Sequence, residues 1–259
     1  MLDSHTEQFH LKCRYGELGE YCLLPGDPAR CEKIAQYFDK PEFFSSNREY
    51  TIWRGYIEGQ PVSVCSTGIG GPSAAIAVEE LAACGVKHFI RVGTCGGISM
   101  NVCPGDVVIA TGAVRQDGTS HEYAPPEFPA VSDFNTALAL VRAANSLGYK
   151  NHTGVVQSKD SFYGQHSPSR MPIAGELLAK WEAWKRLGVL ASEMEAAAIF
   201  TVCASLGLYA GAVFHVIWNQ ERAASGMFPG EEEDHDTDRA VRCGVEAIRL
   251  MINDKNIGI

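Results

Sequence analysis

The chain has 259 residues, 46% of them hydrophobic and 20% charged, and a formal net charge of -9. That length and balance suit a globular protein with a large core, and the acidic excess argues against a broad nucleic-acid or membrane-binding surface. Nine cysteines without a CxxC pair read as free thiols in a reducing compartment; with no basic-then-apolar leader and no apolar run near ~18 residues, a cytoplasmic protein is expected.

Short β-branched runs alternate with segments of helical period. YCLLPG (21–26) predicts a strand and turn, and PARCEKIAQYF (28–38) a helix with Pro28 at its first position. YTIWRGYI and PVSVCST predict a strand pair joined around Glu58-Gly59, followed by a helix over PSAAIAVEELAACG that stops at Gly85. Then come strands in KHFIRV and DVVIATGAVR, a helix over SDFNTALALVRAANSLG, and a strand in HTGVVQS. Helices over AGELLAKWEAWKRLG and 193–206, the strand AGAVFHVIW and a helix over about 237–252 complete the chain. This interleaving predicts one α/β domain, 1–259, with a central mixed β-sheet flanked by helices. Residues 116–131 and 219–235 are the longest irregular stretches and are candidate functional loops.

Three arginines lie beside turn chemistry: Arg30 in PGDPAR, Arg48 in SSNREY, and Arg91 in the apolar run before the glycine-rich stretch GTCGG. A buried guanidinium is costly unless paired, so Arg91, between Ile90 and Val92, points to an anion. Helix N-termini and glycine-rich turns suit phosphate, and arginine supplies forked donors. A surface position or a structural ion pair is the alternative for each. STGIGGPSAA is a poor dinucleotide fingerprint, since Ser73 stands at the third glycine position and the next strand carries Arg91 and no acid. In SEMEAAAIF, Ser192 and Glu195 have capping-box spacing, so Glu195 either caps the helix or accepts hydrogen bonds from sugar hydroxyls. KDSFYGQHSPSR gathers aromatics, Gln165, Lys159 and Arg170, a set able to stack on and read a heterocyclic base. The acidic run GEEEDHDTD reads as a solvated loop, and the eight histidines show no metal-ligand spacing.

In this order, PGDPAR, STGIGGPS, RVGTCGG, FYGQ and SEMEA resemble the bacterial uridine phosphorylases of the nucleoside phosphorylase family, from about His10 to the last helix. The resemblance implies a single nucleoside phosphorylase-like α/β domain, a hexamer built from dimers, and phosphorolysis of uridine to uracil and ribose 1-phosphate. No cofactor is implied; inorganic phosphate is the co-substrate. Gly26, Arg30, Arg91 and Thr94 would hold phosphate, with Arg48 reaching in from the neighbouring subunit. Met194 and Glu195 would hold the ribose, with His10 of the neighbour at its 5′-hydroxyl. Phe162 would pack on the base and Gln165 would read its edge. Glu49, Ile69 and Ser73 match a monovalent-cation (K+) site found at the dimer interface of some members.

Two positions bear on the base. The family's usual loop carries an arginine two residues after the glutamine, and here that position is Ser167. Lys159 or Arg170 is therefore the expected substitute. Sister enzymes acting on purines carry an aspartate where this chain has Asn219, which favours a pyrimidine. A purine or broad-specificity phosphorylase and a catalytically silent nucleoside-binding protein are the alternatives.

Overall fold

The computed structural model describes residues 6–228 and 230–253; the two ends of the expected 1–259 domain lie outside the described residues. The strands are β1 (Tyr21–Leu24), β2 (Asp39–Asn47), β3 (Tyr50–Ile57), β4 (Gln60–Cys65), β5 (His88–Gly97), β6 (Val107–Gln116), β7 (Ala130–Val131), β8 (Asn151–Lys159), β9 (Ala191–Glu193) and β10 (Tyr209–Asn219). The helices are α1 (Ala29–Ala35), α2 (Gly71–Ala83), α3 (Thr119–Tyr123), α4 (Phe134–Ser146), α5 (Phe162–His166), α6 (Ala174–Arg186), α7 (Ala196–Ser205), α8 (Gln220–Ser225) and α9 (Asp238–Asn253).

All ten strands belong to one mixed sheet. β5 runs parallel to both β1 and β10, and β10 pairs antiparallel with β6. β8 lies parallel to β6, and the short β9 joins β8 back to β5, so five strands close a ring. From β1 the sheet continues through parallel β4 into the antiparallel β3 and β2. Strands buried on both faces need apolar residues at successive positions. In β5, Phe89 packs with the α2 and α7 side of the core, whereas Ile90 and Val92 pack with α1, α4 and α9. Helices therefore cover both faces, as the sequence predicts. Among the described residues no helix is long and apolar enough to cross a membrane.

Three local differences from the sequence reading matter. β5 does not end in a glycine turn: it runs on to Gly97, because β10 pairs with it as far as Asn219↔Gly97. The glycines serve space there; a Cβ on Gly93 would stand 2.8 Å from Phe214 Cδ1 and 3.3 Å from Arg91 Nε. DKPEFFSSN forms β2, whose polar composition and Pro41 conceal it; it is an edge strand, where proline is tolerated. Finally, α7 begins at Ala196, because Ala191–Glu193 pair as β9.

Candidate active site

The C-terminal ends of β1, β5 and β10 and the start of α7 surround a cavity of about 750 Å³. A cleft outside the carboxyl ends of parallel strands is the usual ligand position in α/β sheets. Arg30, Arg91 and Thr94 line one side with Gly26, Met194 and Glu195 lie beside them, and Lys159, Phe162 and Gln165 line another side. Ile69 also reaches its rim.

Arg91 is 5% exposed. Its Nη1 donates to Leu24 O (3.1 Å) and Thr67 Oγ1 (3.2 Å), and its Nη2 donates to Glu195 Oε2 at 2.6 Å; Nε has no partner. The Arg91 guanidinium thus has a carboxylate partner within the chain. Gly26 makes room for it, since a Cβ there would sit 3.2 Å from Nη2. Arg30 approaches from the start of α1, donating a long bond to Val92 O (3.4 Å). Burial, and then the charge of Arg91, push the Arg30 guanidinium below its ordinary value. The two guanidiniums stand close together, and the cavity that they line also carries the carboxylates of Asp27, Glu193, Glu195 and Glu233.

The two acids of SEMEA divide the alternatives left by the sequence. Glu193, not Glu195, caps α7: its carboxylate accepts from Glu195 N (2.8 Å) and Ala196 N (3.0 Å) and from the Ser158 hydroxyl. Burial, and then Glu195, raise Glu193 to about 7. Glu195 makes no side-chain cap and accepts from Gly70 N at 2.7 Å as well as from Arg91. Its carboxylate is therefore held at the floor of the cavity by a backbone donor and a cation.

At the other end, Lys159 Nζ donates to Ser192 Oγ (2.7 Å), Ser192 Oγ donates to Gln165 Oε1 (2.7 Å), and Gln165 Nε2 donates to Gln220 Oε1 (3.3 Å). Phe162 is half exposed at the mouth, 4.3 Å centroid to centroid from His166. Ser192, Gln220 and Glu193 were not assigned these roles from the sequence. The signal for Ser192 and Glu193 is alternation along β9, which is too short to read, and Gln220 opens the short helix α8, which has no period to show.

Other expected residues stand elsewhere. Arg170 is exposed and lies over the Tyr163 ring at 5.7 Å, outside the cavity lining, so of the two proposed substitutes only Lys159 reaches the site. Arg48 and Glu49 form the two-residue turn between β2 and β3, with Arg48 exposed in the left-handed region (φ 56°). His10 Nδ1 pairs with Glu80 at 2.6 Å, away from this chain's cavity. Ser73 Oγ donates to Thr67 O (2.5 Å) and lies 3.4 Å from Ile69 O. A Cβ on Gly68 would stand 2.9 Å from Glu49 Cγ and 3.3 Å from Ser73 Oγ, so Glu49 and Ser73 both lie close to the backbone at Gly68. Among the described residues no cluster of three or more His, Cys, Asp or Glu could hold a metal ion.

Asn219 is structural at both ends of its amide. Nδ2 donates to Ser99 O and Val102 O, each at 2.8 Å, and Oδ1 caps α8 through Glu221 N and Arg222 N. Asn219→Asp replaces the donor with an acceptor facing two carbonyls. At about 1–3 kcal/mol per unsatisfied buried group, a clear drop in melting temperature is expected by calorimetry.

An α/β sheet opening at its strand ends onto a cleft with paired arginines, a buried carboxylate and an aromatic-amide wall defines a class: proteins that hold an anion next to a polar organic ligand. The chain belongs to the phosphorylase superfamily, whose family model matches residues 20–250. It is 51% identical to a uridine phosphorylase of Treponema pallidum, with 95% of this chain and 94% of that protein covered. It is 44% identical to a uridine phosphorylase of Escherichia coli (96% and 100% covered) and 39% identical to a guanosine phosphorylase of Halorubrum lacusprofundi (96% and 98%).

Proposed function

We propose that this chain is a uridine phosphorylase, which uses inorganic phosphate to cleave uridine into uracil and ribose 1-phosphate. The observation that carries the reading is one cavity lined by Arg30, Arg91 and Glu195, with Arg91 and Glu195 ion-paired at 2.6 Å, in a chain whose relatives at 44–51% identity are named for that activity. Phosphate takes the arginine side with Gly26 and Thr94; Glu195, beside Met194, accepts hydrogen bonds from the ribose hydroxyls; Phe162 and Gln165 hold the base. A phosphate oxygen bonds to the anomeric carbon while the carbon–nitrogen bond breaks and its electron pair leaves with the base. Positioning and electrostatics do the work, without a covalent enzyme intermediate.

The same reading makes the active site a shared one. Arg48 and His10 serve a neighbouring subunit's site in a hexamer built as a trimer of dimers, and Glu49, Ile69 and Ser73 hold a monovalent cation such as K+ at the dimer interface. Phosphate and uridine are the only ligands needed for chemistry. The nine free thiols support a reducing, cytoplasmic setting.

Uridine and inosine are each followed with and without phosphate, resolving ribose 1-phosphate from free ribose. Phosphate-dependent loss of uridine alone is the expected result. Cleavage of inosine alone gives the purine reading, cleavage of both at equal rate gives a broad-specificity phosphorylase, and no turnover of either gives a binding protein. Because Arg48 and His10 act across an interface, a preparation held as monomers is expected to be inactive; full activity at monomer would remove those two from the site.

A further inference from the structure

Lys159 is 5% exposed and lines the cavity at its base end. An ammonium has three donors, and here it makes one hydrogen bond, to the neutral Ser192 hydroxyl. Among the described residues it has no ion-pair partner. The two acids that face it are committed elsewhere: Glu193 to the first turn of α7, and Glu195 to Arg91 and Gly70 N. The other titratable groups around it do not supply a counter-charge. Cys95 faces it from β5 with its thiol pushed up by burial, and His166 from α5 is kept neutral by burial and then by Lys159 itself. Asp160, next in the chain, turns to Gly118 N. A buried cation with spare donors and no anion of its own costs free energy in the empty site. It is complementary to a negative charge that is not there until the reaction makes one.

Resting on the uridine phosphorolysis reading, we infer that Lys159 is the cation that meets the negative charge developing on the departing base. When the carbon–nitrogen bond breaks, its electron pair spreads onto the ring and its carbonyl oxygens. Lys159 donates a hydrogen bond to one of those oxygens and keeps its proton; solvent protonates the uracil anion after release. Ser192 positions the device: its hydroxyl accepts from Lys159 and donates to Gln165, so the cation and the base-reading amide move as one unit. Burial lowers Lys159 to about 8, with Glu193 and then Glu195 opposing that fall. The charged form is the working form, so kcat/KM is full below that value and falls as pH rises through it.

The test compares wild type, Lys159→Met and Lys159→Gln on uridine and on 5-fluorouridine, whose electron-poor base leaves more easily. Both variants are expected to lose roughly 100-fold in kcat/KM for uridine and no more than about tenfold for 5-fluorouridine. The alkaline limb near pH 8 should be missing from both variants, read as the ratio to wild type so that titration of phosphate and of the substrate cancels. A loss of equal size on the two substrates, an unchanged rate, or an unchanged ratio across pH overturns the role, and thermal melts on the same samples report whether the fold is kept. A wild-type enzyme that does not consume uridine with phosphate sinks the parent reading instead; an active wild type with indifferent variants sinks this inference alone.

Discussion

Replacing Arg91 by alanine is expected to lower kcat/KM for uridine phosphorolysis by at least roughly 10²- to 10³-fold, the range seen when one preorganised electrostatic donor is removed from an active site. Arg91 touches three things at once: the end of β1 through Leu24 O, the Thr67 hydroxyl, and Glu195. With Nε unpartnered and Arg30 close enough to feel its charge, the guanidinium is anchored yet keeps one donor unused. On the proposed reading phosphate binds against it, so the KM for phosphate should rise along with the fall in kcat. The change also leaves the Glu195 carboxylate buried without its cation, and breaking such a pair by removing one partner costs about 3–5 kcal/mol. A calorimetric melt must therefore accompany the kinetics. Arg91→Lys separates the two effects, because it keeps the charge beside Glu195 but loses the fork that matches phosphate oxygens. Stability should recover in that variant and phosphate KM should not. Unaltered phosphate dependence in a folded Arg91→Ala protein would remove Arg91 from the anion site.

How much of this was legible beforehand follows from where each signal lives. The alternation of β-branched runs with helical periods gave a mixed sheet flanked by helices, because strands buried on both faces and half-buried helices leave long, repeated apolar patterns. β2 was hidden, since an edge strand with Lys40, Pro41 and two serines carries neither pattern. β9 was hidden because three residues are too few to show a period, and that error moved the start of α7 back to Glu193. The same short strand explains why SEMEA stays ambiguous in the sequence: spacing leaves Glu195 open between a cap and a ligand carboxylate, whereas the turn from β9 aims Glu193 at the helix amides and leaves Glu195 facing Arg91. The misplacement of Arg170 has a similar cause. Counting residues along KDSFYGQHSPSR could not reveal that α5 and the turn after it carry Arg170 out over Tyr163 while Lys159 stays on the end of β8. Local composition announced the ingredients of the base end; which of them point inward is set by strand pairing 33 residues away, at Ser192.

Replacing Glu195 should produce effects of opposite sign on the two substrates. Its carboxylate is held between Gly70 N and Arg91, at 2.7 and 2.6 Å, and so on the proposed reading it competes with phosphate for the Arg91 guanidinium. Hydrogen bonds to a charged acceptor contribute about 1.5–3 kcal/mol each. Losing two of them, to the 2′- and 3′-hydroxyls, predicts a fall of roughly 10²- to 10⁴-fold in kcat/KM for uridine in Glu195→Gln. The loss should be smaller for 2′-deoxyuridine, which has one of those hydroxyls, so discrimination between the two nucleosides narrows. Phosphate binding to the free protein, read by calorimetric titration, should hold or tighten, because Arg91 is freed from its internal partner. If phosphate instead binds more weakly in Glu195→Gln, the carboxylate serves chiefly to orient Arg91, and the assignment of Glu195 to the sugar loses its main support. A loss on uridine with phosphate affinity preserved would put the dividing line of the cavity between Arg91 and Glu195, with the anion on one side and the sugar on the other.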